Sequence, residues 1–305
     1  MASLRLSTLV ALVAAVAALA AGCGGSATST PPQQLDSLSL VAQRTAKADT
    51  ARFDLSFEMT FPGAPERLAF SADGAFDTAL ERAQMKIDLS SIVSMLGALG
   101  GSLGGNTGAQ LGSPDDWKLE VVLDGKVAYI KVPAFAADMV PGGKSWVKGD
   151  LEALAQAGGG SGLDVGSFGA SDPRDVLKAL EAVAGDLELV GRDSQRGVDT
   201  THYRATLDLR SLLETTVGKE AAGMLGGLDQ MLEQSGLSTI PLDVWVDDEQ
   251  LLRRLDMDFS MTPPGQQGTL EASMSFELYD YGEPLFIELP PADDVADASA
   301  LQQGS

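Results

Sequence analysis

Five bulky apolar side chains fall on every second position in Phe53, Leu55, Phe57, Met59 and Phe61, with Asp54, Ser56, Glu58 and Thr60 between them. Such alternation sends the apolar groups to one face of an extended chain and the polar groups to the other, so the segment predicts a strand with one face out of water. The same period returns in Leu68, Phe70, Ala72 and Phe76, in Ala83, Met85, Ile87 and Leu89, and in Trp117, Leu119, Val121 and Leu123. Towards the C-terminus it returns in Leu242, Val244 and Val246, in Leu255, Met257, Phe259 and Met261, and in Leu270, Ala272, Met274, Phe276 and Leu278. Val127 to Val132, Ser145 to Lys148, Leu187 to Arg192 and Thr200 to Leu209 also read as strands. Turn chemistry separates the runs: Pro62-Gly63-Ala64-Pro65, Asp124-Gly125 as a type I′ hairpin signal, Asp247 to Gln250, and Pro263-Pro264-Gly265.

Three segments have helical spacing instead. Leu35 to Asp49 carries Leu38, Val41, Ala42 and Thr45 on one stripe. Asp172-Pro173 supplies an N-cap and a first-turn proline ahead of Val176, Leu177, Leu180, Val183 and Ala184. Ser211 to Gln234 is a longer stripe weakened by Gly218, Gly223, Gly226 and Gly227. The expected fold class is α+β: a strongly curved antiparallel half-barrel sheet of about eleven strands, with helices covering the open concave side.

The N-terminus predicts export. Residues 1–22 hold Arg5, an apolar run from Leu9 to Ala21 and then small residues, the pattern of a signal peptide. At about 1.5 Å per residue that run reaches about 20 Å, short of the roughly 30 Å of a bilayer's hydrocarbon core. Leu19-Ala20-Ala21-Gly22-Cys23 resembles a bacterial lipobox, which implies a lipidated Cys23 and attachment to the membrane through it. Residues 23–34 then read as the acylated cysteine and a flexible tether, 35–289 as one folded domain, and 290–305 as an acidic disordered tail.

Charge and rare residues narrow the function. A formal net charge of −22 repels phosphate backbones, which argues against a nucleic-acid ligand. With one Cys and one His the chain has no internal disulfide and no His-rich metal centre. Gly100 to Gly104 fits the letters of a nucleophile elbow around Ser102, but in a glycine-rich stretch rather than between strand and helix, and His202 sits in an expected strand. Asp115/Asp116, Asp247/Asp248 and Asp256/Asp258 lack calcium-loop spacing, and no phosphate-binding loop is present. The expectation is therefore no enzyme, no cofactor and no metal.

The lipobox Cys23, the first helix, Trp146-Val147-Lys148, Asp172-Pro173, Gly197-Val198-Asp199-Thr200-Thr201-His202-Tyr203, Pro241 to Asp247 and Leu252-Arg253-Arg254 together resemble actinobacterial envelope lipoproteins of the LppX/LprG type, and in broad architecture LolA. The resemblance implies a half-barrel that carries an acylated lipid or glycolipid in an apolar cavity, lipid-anchored to the outer face of the cytoplasmic membrane or cell envelope, with an envelope transporter as an unidentified partner. It places Phe53, Leu55, Phe57, Met59, Leu68, Phe70, Met85, Ile87, Met257, Phe259, Met274 and Phe276 on the cavity wall. Alternation by itself fits a solid core equally well, and methionine among phenylalanines favours a pliable wall. Ile92, Val93, Leu96, Leu99 and Leu103, set among Gly and Ser, suit either a cavity gate or a plain insertion. The alternative function is a non-catalytic envelope binding or scaffold module with a filled sheet face and a protein partner.

Overall fold

The computed structural model describes residues 38–45, 47–60, 62, 67–91, 93–94, 113–133, 137, 140, 142–150, 187–208, 237–262 and 268–298. Within them the chain runs α1 (Leu38–Thr45), β1 (Thr50–Thr60), β2 (Leu68–Asp77), β3 (Arg82–Asp88), β4 (Lys118–Asp124), β5 (Val127–Lys131), β6 (Trp146–Asp150), β7 (Glu188–Gln195), β8 (Val198–Asp208), β9 (Thr239–Asp247), β10 (Leu252–Met261), β11 (Leu270–Tyr279) and β12 (Val295–Asp297). The twelve strands form one open, curved sheet in the order β12-β6-β5-β4-β3-β2-β1-β11-β10-β9-β8-β7. Every pairing is antiparallel except β12 with β6.

The two expected strand blocks join where β1 pairs with β11, from Arg52 opposite Tyr279 to Thr60 opposite Glu271. This puts the most strongly alternating segment at the centre, paired on both edges, where a strand with one wholly apolar face gains most from burial. Phe57 and Phe276 are 1% exposed there. α1 packs on this half: Val41 belongs to the same apolar cluster, and the Thr45 hydroxyl oxygen accepts the Leu252 amide at 3.0 Å. The helices expected at Asp172 and from Ser211 lie outside the described residues, as do the signal segment, Cys23 and the tether.

Two expectations change. The Asp124-Gly125 corner is a hairpin, with Asp124 paired to Val127, but of its central residues only Gly125 has positive φ (57°), whereas a type I′ turn needs both. That geometry occurs instead between β7 and β8, where Arg196 and Gly197 have φ of 51° and 82°. The acidic tail expected to be disordered from residue 290 contributes β12 beside β6. Lys144 Nζ donates to the Val295 carbonyl at 2.9 Å, and the Ser145 amide to Asp294 Oδ1 at 2.8 Å.

The segment that carries the chain from β11 to β12 is tied first to the start of β1, while Tyr281 packs against the apolar cluster and donates its hydroxyl to the Leu252 carbonyl. Arg52 Nε lies 3.3 Å from Asp280, and the Thr50 hydroxyl donates to the Glu283 carbonyl at 2.8 Å. Pro284, Pro290 and Pro291 lack the amide a ladder needs, and this segment joins no ladder until Val295.

Candidate functional site

The cross-strand registers collect all twelve candidate cavity residues on a single face. Leu55 lies between Ala72 and Phe276, Phe57 between Phe70 and Met274, and Met59 between Leu68 and Ala272. Beyond β11, Met274 faces Met257 and Ala272 faces Phe259; beyond β2, Ala72 faces Ile87 and Gly74 faces Met85. One contiguous apolar surface results, since side chains at directly paired positions share a face.

Burial divides that surface. Phe53, Leu55, Phe57, Met59, Leu68, Met257, Met274 and Phe276 are buried and belong to the central cluster. The Phe57 and Phe70 ring centroids are 5.4 Å apart, and those of Phe53 and Phe276 6.2 Å. Phe70, Met85, Ile87 and Phe259 are only partly buried at its margin. On the β2 side the same face continues through Ile87 to Leu119 and through Val121 to Ile130 and Val147. Leu119, Leu123, Ile130 and Val147 are half-buried there. These four were outside the expected wall, although the alternation in 117–123 already carried two of them.

Of the expected gate, Val93 is 5% exposed and donates its amide to the Leu89 carbonyl at 3.1 Å. Ile92, Leu96, Leu99 and Leu103 lie outside the described residues, as does the glycine-flanked Ser102.

The opposite face is polar and cross-linked. His202 stacks on Trp245 at 4.3 Å, and its Nε2 is 2.6 Å from Asp243 Oδ1, a carboxylate that Arg204 also engages at 2.9 Å. Trp245 Nε1 donates to Asp193 at 3.0 Å, and the Ser194 amide together with this indole N–H holds the Asp193 carboxyl below its ordinary pKa. Arg254 is bound by Asp256 and Glu277. The Asp256 hydrogen bond, outweighing desolvation and helped by the charges of both carboxylates, keeps the guanidinium above its ordinary pKa. His202 is thus one member of a polar network, bonded to Asp243 and stacked on Trp245.

These features define an open half-barrel β protein with one apolar face that is closed at its centre and half-open towards β3–β6. No family model matches the chain. It is 34% identical over 166 residues to an uncharacterized 31.2 kDa protein from the rplA–rplJ intergenic region of Streptomyces griseus, covering 53% of this chain and 52% of that one. It is 29% identical over 167 residues to a candidate lipoprotein of Streptomyces coelicolor, covering 54% and 47%. The chain therefore spans about half the length of these relatives. Among solved structures it is similar to lipoprotein LppX of Mycobacterium tuberculosis, with a TM-score of 0.42 and 13% identity over 82% of this chain and 98% of that one. LprF from Mycobacterium bovis gives 0.39 and 13% over 94% and 97%. Of these relatives, the Streptomyces coelicolor protein is itself named a lipoprotein, the class of protein that the sequence resemblance implies.

Proposed function

We propose that this chain is an exported envelope lipoprotein, lipidated at Cys23 after removal of residues 1–22, that binds an acylated lipid or glycolipid against the inner face of its sheet and works without catalysis. The observation that carries the reading is the burial gradient. The apolar face is closed over β1 and β11 and, apart from Phe259, over β10, whereas around the buried Val121 and Ala128 the side chains of Met85, Ile87, Leu119, Leu123, Ile130 and Val147 are left half-buried with no polar side chain paired among them. Such surface gains about 25 cal/mol for each Å² covered by hydrocarbon, which is the whole of the affinity a non-catalytic carrier needs. The tether of residues 23–34 would hold the domain at the outer face of the cytoplasmic membrane, within reach of an envelope transporter.

The scaffold reading draws on the eight candidate residues that are buried in the central cluster, which is how a filled core looks. Native mass spectrometry and lipid extraction of protein purified from its own envelope separate the two. The carrier reading expects a copurifying acylated species, and Met85→Trp or Ile87→Trp to lower its occupancy several-fold while the unfolding midpoint moves little, because both side chains border open space. Lipid-free protein, with both variants destabilised, would leave the scaffold.

A further inference from the structure

The polar face holds a second, separate feature. A cleft of about 330 Å³ opens over the middle of the sheet, lined by Asp54, Ser56, Ser71, Asp73, Ser275, Glu277 and Arg196 together with the backbone of β1 and β2. Its floor is a grid set by register. Ser71, Ser56 and Ser275 are directly paired across β2, β1 and β11, and one step along the strands Asp73, Asp54 and Glu277 are paired in the same order. Neighbouring columns of such a grid stand about 5 Å apart.

Arg196 roofs one side. The type I′ turn swings it off the β7–β8 hairpin to donate Nε to Glu277 at 2.7 Å and a terminal nitrogen to Asp54, with its guanidinium 3.8 Å from the Tyr279 ring centre. Two of the three carboxylates are therefore already paired, Glu277 also by Arg254. Ser275 donates to Asp256 at 2.7 Å. The side chains of Ser56, Ser71 and Asp73 make no hydrogen bond or ion pair among the described residues.

We propose that this cleft binds a saccharide. The unspent groups are hydroxyls that both donate and accept, one free carboxylate, and the remaining N–H groups of a fixed guanidinium. That mixture suits a ligand whose own groups are hydroxyls, each both donor and acceptor. The partnered carboxylates make a bare cation a poorer match, and the free Asp73 repels an anion. The volume is at the small end of ligand sites, room for about one or two sugar rings. The cleft is on the opposite face from the apolar surface, so this assignment stands apart from the lipid reading.

Saturation-transfer NMR of the folded protein with cellobiose, maltose, mannobiose and chitobiose tests it. At least one disaccharide is expected to bind at millimolar concentration, and Ser56→Ala combined with Asp73→Ala to weaken it at least tenfold, about 1.4 kcal/mol, while the unfolding midpoint holds because both side chains are exposed. Asp73→Asn, which keeps an acceptor, should retain part of the binding. A pull-down on the insoluble polymer of the same sugar tells a glycan chain from a free sugar, and either source supports the cleft's assignment. No binding at about 10 mM of any of the four, binding unchanged in the double variant, or displacement of the sugar by spermidine would overturn it.

Discussion

Gly74 shows how closely this sheet is fitted at single positions. It lies opposite Phe53 on the apolar face, and a Cβ there would stand 2.7 Å from the Phe53 ring and 2.3 Å from the Gln84 carbonyl oxygen. The ring can rotate away, but the carbonyl belongs to β3 and moves only with the strand. Gly74→Val is therefore expected to destabilise the domain by about 1–3 kcal/mol, read as a lower urea midpoint with an unchanged slope. The glycine was visible in the sequence as a gap in the β2 alternation. Its reason was not, because the clash involves strands whose register no local pattern specifies.

At the scale of elements, the β7–β8 hairpin folds its tip over the polar face. Arg196 reaches β11 and β1, and Asp193 accepts from Trp245 on β9. The Asp193 carboxyl is held below its ordinary pKa by the Ser194 amide and the indole N–H, so its contribution to docking is present above the unfolded value of 3.8 and is lost as the pH falls through the folded value. Trp245 fluorescence is expected to change in acid with a midpoint below 3.8, and Asp193→Asn to remove that transition. A wild-type titration centred at or above the ordinary value would show that the contact does not hold in solution. In the sequence this turn was only the gap between the strands expected at 187–192 and 200–209, and the structure adds that Arg196 shares the positive φ of Gly197 and is thereby aimed at the sheet centre.

Across the whole molecule the apolar face grades from closed to half-open, and substitutions should follow that gradient. Phe57, 1% exposed and touched from both flanking strands, is expected to cost about 3–5 kcal/mol on replacement by Ala. Met85, only partly buried, is expected to cost under about 1.5 kcal/mol, since its loss leaves less cavity. Equal losses in chemical denaturation would mean that the face is packed uniformly. The alternation of residues 53–61 and its later returns were enough to establish the strands and their apolar sides, because side-chain direction in a strand depends on parity alone. Parity could not say that β1 meets β11, that residues 295–297 add a twelfth strand, or which apolar positions stay half-open. Those depend on contacts between segments far apart in the chain, Val295 with Trp146 and Thr45 with Leu252 among them. Local sequence determined which way each side chain points; only the tertiary pairing decided what it meets, because burial is a property of the neighbours that the fold brings over it.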